Sequence, residues 1–257
     1  MDKASLGGAF LAISGIVAGL MIEGGSVGQI LQPTAALIVF GGTLGAVLLQ
    51  YPFATVFAAF RSLPQILSRP REQDGQLIRQ LVGFANKARR NGVVSLDRDL
   101  AAVEDPFLKQ ALMLAVDGTE PADVRKIMRV SLDSLTEDEE QLPSVFESAG
   151  GFAPTIGILG AVLGLIQVMH HLEDIQAVGR GIAVAFVATI YGVGVANLFF
   201  LPLAGKMRIR IRNGYRRREM MLDGVVSILE GMNPRMLEIK LTGFLDDWNR
   251  DRKERAA

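Results

Sequence analysis

The chain has 257 residues, 49% of them apolar, with no cysteine, two adjacent histidines (His170 and His171), and 27 basic against 27 acidic residues. This composition excludes a disulfide framework and a thiolate metal site, and the zero net charge gives no case for a nucleic-acid binder. The apolar residues fall in long blocks, which argues against an ordinary soluble domain.

A membrane-crossing helix needs ~20 mostly apolar residues. The first such segment is Leu6 to Ile22, whose polar side chain is Ser14. A cleaved signal peptide is the competing reading. Lys3 alone makes the basic start, and Glu23-Gly24-Gly25-Ser26 is a poor cleavage site, so a retained span is expected. The second span starts at Pro33 and runs through Gln50, with an apolar continuation to Phe60.

From Arg61 to Glu147 the pattern is helical. Leu77, Leu81, Phe84 and Ala88 form an apolar stripe that Asn91-Gly92 ends. Asp105-Pro106 starts a second helix, Phe107 to Val116, closed by Asp117-Gly118. Glu120-Pro121 starts a third, expected to run to about Leu142, with Glu137 to Glu140 as a solvated face. No strand alternation persists.

Phe152 to Leu172 and Ile182 to Leu203 are the third and fourth spans. Span four is expected to continue as a helix to about Glu230. Met232-Asn233-Pro234 breaks it, and a short amphipathic helix (Met236 to Leu245) follows. The fold class is therefore all-α: a polytopic membrane protein with four transmembrane helices and a helical cytoplasmic domain between spans two and three. The expected segments are 1–60, 61–147, 148–204 and 205–257.

Basic residues set the orientation. The segment Glu23 to Gln32 has none, and the loop between spans three and four has only Arg180; 12 lie in Arg61 to Glu147 and 13 in the tail. Both termini and the large middle segment are thus expected in the cytoplasm. The run from Lys206 to Arg218 anchors span four to anionic lipid.

No Asp, Glu, Lys or Arg lies in the four span cores. An ion path normally needs such a group, and Thr189 and Gln167 are the main polar candidates here. Any carboxylate on an ion path must then come from another chain. Gly157, Gly160 and Gly164 share one helix face, as do Ala188, Gly192 and Ala196. Small residues on such faces allow close helix packing in lipid.

Three motifs, in this order and topology, resemble the MotA branch of the MotA/TolQ/ExbB family. They are Ile38-Val39-Phe40-Gly41-Gly42-Thr43-Leu44-Gly45, the stretch from Ala153-Pro154-Thr155-Ile156-Gly157 to Gly164-Leu165, and Ala185-Phe186-Val187-Ala188-Thr189-Ile190-Tyr191-Gly192 followed by Leu201-Pro202. The resemblance covers essentially the whole chain. It implies the A subunit of a flagellar stator in the bacterial inner membrane. Five copies would surround a pair of single-span MotB-like partners that carry the ion-binding aspartate, and ion flux would turn the ring against the rotor switch protein.

By the same resemblance, Pro154 and Pro202 couple ion flux to torque, and Thr189 faces the channel. Read from the sequence alone, Pro154 is a first-turn helix proline, Pro202 a kink, and Thr189 a hydroxyl bonded back to its own helix. Arg89, Arg90 and Asp97 match the charged residues that meet the rotor, with Asp97 where glutamate is frequent and Arg98 interrupting the acidic cluster. Sodium-using members tend to carry threonine where this chain has Ala161. A hard cation wants oxygen ligands, so proton coupling is expected, with sodium as the alternative. His170 and His171 read as interfacial residues, since neighbours on a helix diverge by ~100°. No cofactor, metal site or enzymatic constellation is expected. The competing functions are a channel of the same superfamily that drives a non-flagellar envelope system, and a packing scaffold.

Overall fold

The computed structural model describes residues 3–67 and 74–254, with side chains described over 7–64 and 74–244. Among the described residues there is no strand. Among the described residues eight α-helical elements follow one another: α1 (Lys3–Ile22), α2 (Pro33–Gln50), α3 (Phe53–Leu67), α4 (Asp74–Asn91), α5 (Pro106–Val116), α6 (Pro121–His170), α7 (Ile175–Leu229) and α8 (Pro234–Glu254). A 3-10 stretch, Val93–Ala102, lies between α4 and α5. α2, α6 and α7 are long and apolar enough to cross a membrane, and Gly7–Ile22 in α1 is a shorter apolar helix.

The chain forms two compact units. The first comprises Met1–Arg69 and Glu139–Arg210. Its core joins Val47 of α2 and Val56 and Ala59 of α3 to Val145, Phe146 and Ala149 of α6 and Ala204 and Met207 of α7. Phe60 meets the Phe146 ring edge-on at 5.4 Å, a favoured aromatic geometry. A second cluster, Ala35, Val39, Val187 and Ala188, joins α2 to α7.

The apolar run after Gln50 does not continue span two as one helix. Tyr51 is extended (φ −122°, ψ 147°), as the residue before a proline prefers, and the chain restarts as α3 after Pro52. The broken end is tied down by Tyr51, whose hydroxyl donates to the Ser144 carbonyl at 3.1 Å and lies 3.0 Å from Ser148 Oγ.

The second unit comprises Pro70–Asp138 and Ile211–Ala257. The stripe on α4 is buried as its spacing requires, with Leu77, Leu81, Phe84 and Ala88 all in the core. They pack with Leu96, Leu108, Leu112, Met128, Leu132, Met221, Leu237 and Leu241. Asp105 caps α5 by accepting from the Phe107 and Leu108 backbones, the local arrangement that Asp-Pro favours at a helix start. Gly92 leaves α4 at φ +79° and Gly231 leaves α7 at φ +74°, a conformation open to glycine because it has no Cβ.

The helix expected to stop near Leu142 instead runs to His170 as one 50-residue element through Pro143 and Pro154. Pro143 is buried, and its neighbours Val145, Phe146 and Ala149 belong to the first unit's core. Tertiary packing offsets the ~3 kcal/mol that an interior proline costs a helix. α8 also extends well past Leu245.

Candidate channel wall and charged face

The membrane-region parts of α6 and α7 meet backbone to backbone. A Cβ added to Gly157 would lie 2.8 Å from the Ala188 carbonyl oxygen and 3.2 Å from Gly192 Cα. One on Gly160 would meet Ala188 Cβ at 2.8 Å, and one on Gly164 the Gly181 carbonyl at 2.7 Å and the Ala185 nitrogen at 2.8 Å. From the other side, a Cβ on Gly192 would strike the Ala153 carbonyl. The small-residue faces read in the sequence are thus one seam, with Gly181 and Ala185 as members the spacing argument had not included. Close approach of this kind is what small residues permit between helices in lipid.

Ala161 and Thr189 are both half-buried and directly follow Gly160 and Ala188 in the chain, so they flank the same crossing. Thr189 Oγ1 donates to the Ala185 carbonyl at 3.3 Å. This is the back-bond to its own helix. Gln167 is exposed on α6, and its backbone carbonyl lies 3.0 Å from His171 Nδ1.

Pro154 lies deep inside α6 rather than in a first turn. Lacking an N–H, it cannot bond the carbonyl four residues back, that of Gly150. Gly150 is buried against the turn that carries Pro202: a Cβ there would come within 2.7 Å of Leu201 Cδ2. The fold therefore brings the Gly150–Pro154 turn of α6 to the Pro202 turn of α7.

Pro202 is exposed and follows a π-helical turn, Ala196–Phe200, in which the Leu201 N–H reaches back five residues to the Ala196 carbonyl. The wider turn relieves the clash a proline ring makes with the carbonyl four residues earlier. A second π turn, Leu37–Gly41, interrupts α2. It precedes Thr43, which is 3% exposed and whose hydroxyl has no hydrogen-bond partner. Sequence reasoning gave Thr43 no role, and nothing in its spacing singles it out.

Tyr191 was also passed over. Its hydroxyl donates to the Ile30 carbonyl at 2.6 Å and accepts from the Gln32 N–H at 3.3 Å, tying α7 to the entry of α2. In the hairpin between α6 and α7, Asp174 caps the first turn of α7. The Ala177 and Gln176 N–H groups hold its carboxyl below the usual value, helped by Arg180 and His171, with desolvation opposing.

In the second unit, Arg89, Arg90 and Asp97 are exposed, and none makes an ion pair among the described residues. Lys87 Nζ pairs with Asp99 Oδ2 at 2.7 Å. That bond fastens the 3-10 stretch carrying Asp97 to the helix carrying Arg89 and Arg90. No group of three or more His, Asp or Glu among the described residues is arranged to hold a metal.

The fold and site define an all-helical membrane protein whose apolar helices hold no charged group at their seam. The family model for the "MotA/TolQ/ExbB proton channel family" matches residues 99–220, and that for "Motility protein A N-terminal" matches residues 6–92. Motility protein A of Bacillus subtilis (strain 168) is 34% identical over 247 residues, 95% of this chain and 91% of that protein. The chain also superposes on the flagellar MotAB stator complex from Bacillus subtilis with a TM-score of 0.88 at 32% identity, covering 98% of this chain and 99% of that one. C. jejuni MotAB gives 0.88 at 30% identity, covering 95% and 96%. The chain belongs to the MotA/TolQ/ExbB proton channel family, and its amino-terminal match places it in the motility protein A branch.

Proposed function

We propose that the chain is the A subunit of a flagellar stator in the bacterial inner membrane, and that it converts proton flux into torque on the rotor. The observation that carries this reading is the seam itself. α6 and α7 press backbone to backbone along glycines, carry no acid or base at that depth, and join two proline turns at one end of it.

In this reading the chain crosses the membrane four times with both termini in the cytoplasm. α1 supplies the fourth crossing: its 20 residues span ~30 Å, the thickness of a hydrocarbon core. The charge asymmetry of the loops sets the direction. Five copies surround a pair of single-span partner helices, each bringing the carboxylate that α6 and α7 lack.

The partner carboxylate takes up and releases the proton. Ala161 presents a methyl where a sodium path wants an oxygen ligand, which favours the proton. Protonation changes the charge facing the wall, and the turns around Pro154 and Pro202 convert that change into motion of α6 and α7, because both turns lack a full set of intrahelical bonds. Arg89, Arg90 and Asp97 meet oppositely charged residues of the rotor switch protein.

The test is rotation of tethered cells that lack other stators and express this chain with an aspartate-bearing single-span partner. Rotation in sodium-free buffer that a protonophore abolishes supports the proposal. Rotation only with sodium overturns the choice of ion. No rotation, with the complex assembled in the membrane, moves the function to an envelope system other than the flagellum.

A further inference from the structure

One acid stands just outside the apolar stretch of α6. Glu147 is the only Asp or Glu between Glu140 and the end of that helix at His170. It is half-buried, and its Oε2 accepts from Arg208 Nη2 of α7 at 2.6 Å, with side-chain exposures of 32% and 59%. Glu147 lies seven residues before Pro154, and Arg208 six residues after Pro202. The pair therefore sits roughly 9–11 Å along the helices from both proline turns. The next residue, Ser148, is held on another face of α6 by the Tyr51 hydroxyl at 3.0 Å, since neighbours on a helix diverge by ~100°. Between the pair and the turns, Ala149, Ala204 and Met207 share one apolar cluster, and Gly150 lies against Leu201.

We propose that the Glu147–Arg208 ion pair is the rung that makes α6 and α7 move as one body on the cytoplasmic side of their proline turns, so that both are positioning residues for coupling ion flux to torque. The turns lack a full set of intrahelical bonds, and a displacement arising there can either spread the two helices or carry them together. The apolar contacts beside the pair are non-directional, and the small side chains of Ala149 and Ala204 offer little against sliding. A charge-assisted hydrogen bond fixes both distance and direction. An exposed ion pair adds little to stability, so its contribution is to geometry rather than to holding the fold. The inference rests on the reading of the chain as a stator subunit.

Cells that lack other stators and express this chain with the aspartate-bearing single-span partner allow three readings: complex in the membrane, proton influx, and torque on a tethered flagellum. E147Q and R208Q should each assemble and pass protons within about twofold of the parent chain, while torque falls about fivefold, the factor that the strongest exposed ion pairs are worth. The charge-swapped E147R/R208E should recover most of the torque, and R208K, which keeps the charge, should retain most of it. Unchanged torque in both single variants overturns the inference and leaves the stator reading standing. Assembly, influx and torque falling together also overturn it, because that pattern marks a pair that only holds the fold. So does a torque loss that the swap does not relieve and R208K shares. A parent chain that assembles but gives no rotation overturns the stator reading itself, and the inference with it.

Discussion

Gly164→Ala tests the seam directly. Ordinary van der Waals contact of a Cβ begins near 3.4 Å, and at Gly164 the added carbon would meet the Gly181 oxygen at 2.7 Å, the Ala185 nitrogen at 2.8 Å and Ala185 Cβ at 3.0 Å. None of these atoms can rotate away, so α6 and α7 must separate by about 0.7 Å locally, and close-packed interiors resist such shifts. Overpacking costs ~1–3 kcal/mol, and alanine regains ~1 kcal/mol over glycine in helix propensity. The net expectation is a loss of up to about 2 kcal/mol. Gly194→Ala, on α7 with nothing within 4 Å, makes the matched control and should be neutral or slightly stabilising. Thermal unfolding of the detergent-purified chain reads the difference. Equal midpoints for the two variants would refute the claim that these glycines exist for close approach.

Lys87→Ala should free the Asp99 end of the 3-10 stretch; amide hydrogen exchange over Val93–Ala102 should rise, while α5 stays protected. Asp223 accepts from Arg125 at 3.1 Å and pairs with Lys240 at 2.6 Å, and Lys240 also donates to buried Ser227. Asp223→Asn strands two cations at a partly exposed node, so a loss of about 2 kcal/mol is expected, measurable as a lower midpoint of thermal unfolding. Asp174 has a lowered pKa, so its cap contributes fully above the ordinary carboxyl value of 3.8 and is lost only as pH falls through the lower folded value. The protection factors of the amides at the start of α7 should therefore not change between pH 7 and pH 5. Thr189→Val removes a hydroxyl whose bond is to its own helix; assembly should persist, and a fall in torque at unchanged assembly would mark the hydroxyl as part of the ion path.

What was legible in the sequence follows from how strongly each feature is written locally. Apolar runs marked the membrane segments because lipid leaves few ways to hide polar side chains. Asp105-Pro106, Asn91-Gly92 and Asp117-Gly118 marked helix ends because caps and positive-φ turns need particular residues. The glycine faces of α6 and α7 were visible through their spacing. The errors arose where tertiary contacts overrule local preference. The helix expected to end near Leu142 is instead carried through Pro143 by the surrounding packing. Conversely, the apolar run past Gln50 looked continuous, and Pro52 broke it. Tyr51, Tyr191 and the Lys87–Asp99 pair could not be found from spacing, because each joins residues that only the fold brings together. The π turns had no signal apart from Pro202.

In the proposed function, the polar groups of the membrane region explain why the chain relies on a partner to move ions. Thr189 gives its hydroxyl hydrogen to Ala185, Thr155 to Phe152, Tyr191 to Ile30, and Asn197 its amide to Val193. Each bond is to backbone, so the side chains stabilise the wall rather than line it with free donors. Thr43 is the buried exception, and a lone hydroxyl does not titrate. A wall of this kind is cheap to keep in lipid and selects no charge by itself. It presents backbone and methyl groups to whatever carboxylate is brought alongside. In the function proposed above, coupling resides in shape, in how the Gly150–Pro154 and Leu201–Pro202 turns accommodate a neighbouring charge that appears and disappears. Those turns are where the helices have bonds missing or shifted, and they touch each other, so a displacement of one cannot leave the other in place.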